Sequence, residues 1–401
     1  MKNKGEKNYF FLRLNENWKN FKLGKLFRFK NGKRPQIISG GSIPVYGANG
    51  LMGYTNKSLI KEDRILIIGR VGASGEVHLA TGEIWVSDNA IYGEAIDKSK
   101  IDILFIFYLL RFKDLTRLAT KSTHPIINQT ILNNLSIPLP PLPEQKKIAE
   151  ILSTVDEAIE VTDKEIEKAE RLKRGLMQEL LTKGIGHTKF KKTEVGTIPE
   201  EWEVMKLRNV TEKFISGGTP STKEKRFWDG RIPWISSSHM EGLYILTGEK
   251  FISKEGLKES ATNMIPSGNV IIATRVGIGK VAVNKIDVAI NQDLTGLILK
   301  KQKIVPDFLV WYLLSPISQL KLKSITRGTT IKGIARVDLQ RVKLPLPPLP
   351  EQQKIAEILS SVDDFIESLR ARREKLVKLK QGLMEDLLTG KRRVKVDDEE
   401  A

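Results

Sequence analysis

Apolar residues recur at steps of three and four through two stretches of this chain. In the first they fall at Ile148, Leu152, Val155, Ile159, Ile166, Ala169, Leu172, Leu176 and Leu180. In the second they fall at Ile355, Leu359, Val362, Ile366, Leu369, Leu376, Leu379, Leu383 and Leu387. This spacing predicts two long helices with a coiled-coil seam, carrying polar Thr162 within the first and a local shift near Leu172. Arg373 stands where Ile166 stands in the first copy. Each helix, at about 40 residues, would run roughly 60 Å. A long helix with one apolar stripe has to bury it. Its twin in the same chain is the favoured partner, and packing against its own domain is the alternative.

The entries to the two helices are alike. Pro138, Pro140, Pro141 and Pro143 exclude helix before them and predict an extended, polyproline-II-like approach. Pro143 suits the first helical turn, and Glu144 complements the positive helix end. At a constant offset of 207, residues 138–182 and 345–389 are identical at 29 of 45 positions. Upstream the halves align loosely. Trp18 and Leu23 mirror Trp202 and Leu207, GRVG at 69–72 mirrors TRVG at 274–277, and Tyr108 mirrors Tyr312. The chain is therefore a tandem duplication, with two divergent bodies each followed by a nearly invariant tail. Within the bodies, Ile65 to Ile68, Ile84 to Val86, Val270 to Ala273 and Val281 to Val283 are β-rich runs between Gly and Asn/Asp turns. Ile103 to Arg111 and Asp307 to Leu314 read as buried helices. Each body is expected to be α/β with a twisted sheet, not doubly wound. The expected boundaries are residues 1–140 and 186–346 for the bodies, 141–185 and 347–391 for the helical spacers, and 392–401 for a charged tail.

Charge sharpens this picture. The net charge is +18 and the pI about 9.7, which favours polyanionic partners. Residues 1–137 carry 21 Lys and Arg against 11 Asp and Glu, and residues 185–344 carry 26 against 15. The two tails are close to neutral, so the surplus belongs to the bodies. The absence of cysteine excludes disulfides and thiolate metal sites and fits a cytoplasmic location. The longest apolar run, Ile103 to Leu110, is too short to span a bilayer, so no membrane association is expected.

Catalytic parts are scarce. The four histidines, His78, His124, His187 and His239, lack metal-ligand spacing. VGIGK at 276–280 lacks the first glycine and the following Ser/Thr of a phosphate loop. No target-base motif accompanies the paired prolines, and the acidic run Asp397 to Glu400 lies in the tail. No catalytic residue, metal site or cofactor is expected in this chain.

The doubled PLPPLPEQ segment, each time opening a long helix that ends GLMQELLT or GLMEDLLT, carries a family resemblance. GTIPEEWEVMKL at 196–207 and ISGGTP at 215–220 add to it. Together, over essentially the whole chain, these resemble the specificity subunit of type I restriction–modification systems. The resemblance implies two target recognition domains in tandem duplication, separated by two long antiparallel coiled-coil helices in a pseudo-two-fold, circular arrangement. It implies that each domain reads one half of a bipartite site in double-stranded DNA while the helices set the gap. It further implies two methyltransferase subunits as partners, which bind S-adenosylmethionine and methylate adenine at N6. Motor and nuclease subunits using ATP and Mg²⁺ would complete the complex. The recognition half of a fused restriction–modification enzyme and a basic coiled-coil RNA-binding scaffold are the competing readings.

Loops that interrupt strands and carry basic or amide groups are the candidate DNA contacts. In the first body these are Lys33, Arg34, Arg70, Lys121, His124, Asn128 and Gln129. In the second they are Thr219, Ser236, Ser238, His239, Arg275, Arg327, Thr329, Thr330 and Lys332. Arg70 and Arg275 stand out because they recur at matched places, although arginines that merely cap the sheet would also recur.

Overall fold

The structure, a computed structural model, describes residues 18–120, 125–328 and 332–395. These residues fall into two compact units, the chain passing from one to the other at 164/165 and 369/370. Each unit therefore holds one body and a part of both long helices, which span Leu142–Lys183 and Leu349–Leu388.

In the first unit the body is built on a six-stranded sheet. The strand order is Phe27–Asn31, Ala90–Ala95, Ile60–Gly69, Val77–Val86, Ile43–Gly47, Gly50–Thr55. All pairings are antiparallel except that of Ile43–Gly47 with Val77–Val86. Ile65 to Ile68 are all buried because the sheet is covered on both faces. Leu66 and Ile68 join the main core, and Ile65 and Ile67 a smaller cluster on the other face. The apolar helix Ile103–Lys113 packs in the main core. Its first turn is capped by Asp102, whose carboxylate accepts from the Phe105 amide at 2.8 Å.

The second body uses two sheets. One has five strands, ordered Thr211–Ser216, Leu294–Leu299, Asn269–Ala273, Val281–Asn284, Tyr244–Ile245. The other has four, ordered Lys250–Ile252, Ile232–Ile235, Val288–Ile290, Asn263–Ile265. The buried helix Pro306–Leu314 starts on a proline, whose missing N–H is harmless at that position.

The approach to each long helix is not polyproline II. Ser136–Leu139 is a β-strand paired antiparallel with Lys19–Lys22, placing Asn20 opposite Pro138. Lys343–Leu346 pairs in the same way with Glu203–Lys206, placing Val204 opposite Pro345. A two-stranded ribbon leaves one edge of each strand free, so a proline there forfeits no ladder bond. Pro138 and Pro345 thus sit inside a strand, while Pro140 and Pro141 and their copies Pro347 and Pro348 follow its end.

The seam also departs from a simple helix pair. In the first unit Ile148 and Leu152 are fully buried in the body core, joined there by Leu383, Leu387 and Leu388 from the end of the other helix. In the second unit Ile355 and Leu359 join Leu176, Leu180, Met177 and Leu181 in the core of that body. Packing of helix on helix alone is confined to Ala169, Ile366 and Leu369, flanked by Ile166 and Val362. Val155 is buried and Ile159 half-buried. Leu172 and Leu379 lie outside the seam, 55% and 51% exposed. Their place on the inner face is taken by the next residues, Lys173 and Lys380. Within the first unit Lys380 pairs with Asp156 at 2.5 Å and Arg373 with Asp163 at 2.5 Å. Within the second, Lys173 pairs with Asp363. Partner numbers fall as helix numbers rise, so the helices run antiparallel in the first unit. The burial of Leu176 to Leu181 with Ile355 to Leu359 shows the same in the second.

Candidate nucleic-acid interface and the spacer joints

In each body the strand-interrupting loops converge on one edge. In the first, Gly32 donates its amide to Ala90 and Lys33 to Val86, at 3.0 and 2.9 Å. A Cβ on Gly32 would meet the Ser87 carbonyl at 2.1 Å, so only glycine permits this approach. The amide of Arg70 donates to the Asn89 carbonyl at 2.8 Å, and the Ile127 amide to the Arg70 carbonyl at 3.1 Å. Gln129 donates its side-chain amide to Asn31 at 3.3 Å. Lys33, Arg34, Arg70, Asn128 and Gln129 are thereby collected on one edge. Lys121 and His124 lie outside the described residues.

The second body repeats the plan. Gly218 donates to Ile290, Asn291 to Ile235 and Arg275 to Asp293. A Cβ on Gly217 would likewise meet the Ile290 carbonyl, at 2.0 Å. Thr219 donates its hydroxyl to the Gln292 side chain at 2.6 Å. Gly333 lies beside Arg275, and Arg327 pairs with Gly333 across a short hairpin. Thr219, Ser236, Ser238, His239, Arg275, Arg327 and Lys332 therefore share an edge, while Thr329 and Thr330 lie outside the described residues.

Not all of these side chains are available. Asn128 caps the helix Gln129–Asn134, accepting from the Ile131 amide at 2.9 Å. Ser236 and Ser238 form a local network with Glu249. Burial raises the Glu249 pKa, but the Ser236 hydroxyl and amide outweigh it and hold the carboxyl below its usual range. His239 bonds the Thr247 carbonyl, and Arg327 pairs with Asp338 at 2.8 Å. The half-buried Arg70 guanidinium donates to the Asp88 carbonyl at 3.3 Å. Lys33, Arg34, Arg275 and Lys332 are exposed and carry no ion pair among the described residues. Lys280, Arg336 and Gln292 also belong to the second edge, and the loop reading missed them. Lys280 donates to the Ser237 carbonyl at 3.1 Å, and Arg336 to the Ser216 hydroxyl at 2.8 Å. Gln292 was findable, because it precedes Asp293 as Asp88 precedes Asn89, the two turns that hold the matched arginines.

Between body and helix, the Glu-Gln pair of each PLPPLPEQ segment forms a joint. Glu144 is buried and accepts a bidentate pair from Arg393, at 2.6 and 2.9 Å. Its copy Glu351 accepts from the Ile185 amide, the His187 ring and the Trp202 indole, each at 2.9 Å. Each glutamate thus holds the segment that leaves the other long helix. The buried Trp18 indole N–H has no hydrogen-bond partner among the described residues, whereas its counterpart Trp202 donates to Glu351. Aromatic groups line the inner helix faces. Lys380 lies 5.4 Å from the Tyr108 ring and Lys173 lies 5.0 Å from the Trp311 ring. Tyr108 donates to Asp156 at 2.8 Å, and burial together with that carboxylate raises its phenol well above the usual range. Among the described residues no group of three or more His, Asp or Glu is placed to hold a metal, and no helix is long and apolar enough to cross a membrane.

Two loop-edged basic bodies, each resting on antiparallel segments of both long helices, define a class of protein with two separate surfaces suited to an extended polyanion. Residues 15–171 and 199–378 both match the type I restriction modification DNA specificity domain. The chain is 33% identical over 96% of its length to the type I restriction enzyme MjaVIII specificity subunit of Methanocaldococcus jannaschii, covering 95% of that protein. It is 37% identical over 75% of its length to the putative type I restriction enzyme MjaX specificity subunit of the same organism, covering 70% of it. Its fold is that of the type I restriction–modification S subunit from M. genitalium, with a TM-score of 0.65 and 19% identity across 94% of this chain and 98% of that one. The chain belongs to the specificity subunits of type I restriction–modification systems, and carries two target recognition domains in tandem.

Proposed function

We propose that the chain reads a bipartite, asymmetric sequence in double-stranded DNA, one half-site per body, and that the long helices set the gap and dock two methyltransferase subunits. The observation that carries this reading is the contrast between matched edges and diverged side chains. Arg70 and Arg275 are held by equivalent turns, yet the neighbouring positions are Asp88 in one body and Gln292 in the other. An amide suits adenine and a carboxylate suits the cytosine amine, so the two edges would read different bases from one framework. The exposed cations Lys33, Arg34, Arg275 and Lys332 supply the sequence-independent attraction to phosphate.

The chemistry belongs to the partners in this reading. S-adenosylmethionine would sit on the methyltransferase subunits, which modify adenine at N6, and ATP and Mg²⁺ on the motor and nuclease subunits. Leu172 and Leu379 are copies of one position, both turned out of the seam, which suits one methyltransferase subunit per unit. The test is to map methylated adenines in a host expressing this chain with its methyltransferase partner. Two defined half-sites at one fixed spacing support the proposal. A single contiguous site, or no defined gap, refutes it.

A further inference from the structure

We infer that Gln145 and Gln352 are the positioning residues that fix the angle at which each body leaves its helix, and so select the gap in the DNA site. The inference rests on the bipartite reading above. Both side chains are completely buried. Gln145 accepts from the Asp102 amide at 2.9 Å and donates to the carbonyls of Lys100 and Pro140 at 3.0 and 2.8 Å. Gln352 accepts from the Val305 amide at 2.8 Å and donates to the carbonyls of Lys303 and Pro347 at 3.0 and 2.8 Å. Each amide ties three segments at one point: the start of the long helix, the proline that follows the strand before it, and the loop that opens the buried helix of the body.

All six partners are main-chain atoms. Asp102 and Val305 differ in chemistry yet make the same bond, so the joint survives divergence of the body around it. A side chain whose only task was to fill the core would need no polar end, and a buried amide without partners is costly. Here every donor is used, and the geometry recurs in both copies although the bodies do not. A clamp of this kind holds orientation because two bonds tie the helix start to the loop before the buried helix and the third ties it to its own proline entry. It touches no base, so it acts on spacing and not on sequence.

The test uses the chain assembled with its methyltransferase subunits, methylating duplexes that carry both half-sites at the native gap or one to two base pairs shorter or longer. Gln145→Met and Gln352→Met keep the length and volume of the side chain and remove its bonds. Each is expected to lower the preference for the native gap about tenfold, the scale of one lost buried hydrogen bond, while single-base changes within either half-site still abolish methylation. Should a methionine variant fail to fold, Gln145→Asn and Gln352→Asn, which keep the amide but fall one methylene short, decide the same comparison. A folded variant with the wild-type gap preference overturns the inference, and so does one that relaxes the half-sites together with the gap. If the wild-type complex methylates no gapped site, the bipartite reading itself has failed, an outcome visible before any variant is made.

Discussion

Arg275 stands on the second edge with its guanidinium exposed, its backbone held by the Asp293 carbonyl and its side chain paired with no acid among the described residues. A cation displayed in this way is suited to a phosphate. Arg275→Ala in the assembled complex is predicted to weaken DNA binding uniformly across sequences and to reduce the salt-dependence slope by about one. Unchanged affinity and slope would leave Arg275 a structural residue. Arg70→Ala should cost binding too, but with some loss of order, since its guanidinium also ties down the Asp88 turn. Tyr244 is predicted to act on stability. Burial, helped by the hydrogen bond to Asp307 at 2.8 Å, pushes its phenol up to about 12. The unfolded chain loses that proton near pH 10, the folded one later, so the contribution is complete below about 10 and lost as pH rises towards 12. Tyr244→Phe should flatten the fall in melting temperature across that window, and an unchanged alkaline slope would assign the fall to other groups.

At the scale of the element, the long helices use three kinds of contact along one length. Their ends are buried against a body, their middle against each other, and Lys173 and Lys380 meet acids on the inner face where a continued seam would place leucine. The consequence is two exposed leucines at duplicated positions. Leu172→Asp and Leu379→Asp are each predicted to lose one methyltransferase subunit from the complex and the double variant both, as read by native mass spectrometry. Folding should change by no more than about 0.5 kcal/mol, since neither side chain is packed. Full assembly in the double variant would place the docking face elsewhere. The heptad reading placed Leu172 and Leu379 in the seam because periodicity reports which residues are apolar. It cannot report where a lysine stem with an acid opposite displaces a leucine.

For the whole molecule, both units depend on both helices, so the spacer cannot be lengthened in one helix without shifting its pairing in the other. Inserting one heptad into each, at the 164/165 and 369/370 boundaries, keeps the antiparallel partners in phase. It adds roughly 10 Å, or about three base pairs. The predicted outcome, read by methylome mapping, is a gap wider by about that amount with both half-sites unchanged. Altered half-sites would make the helices readers of sequence instead of a spacer.

Much of this organisation was legible before any coordinates. The offset of 207 exposed the duplication, proline marked both helix starts, and runs such as Ile65 to Ile68 announced buried strands, because each is a local or repeated property of the chain. The edges were legible only in part. Gly32 and Arg70 point to one, but Lys280, Arg336 and Gln292 reach the other through contacts between residues far apart in sequence. The glutamates and glutamines of PLPPLPEQ show the limit most plainly. Sequence alone determined that these residues are repeated and that a helix begins there. Only the tertiary structure decided that the glutamine faces inward to the body backbone and the glutamate to the exit of the other helix. Repetition records that a residue is kept, whereas the partners of the glutamines are main-chain atoms, which every residue carries and no sequence pattern marks.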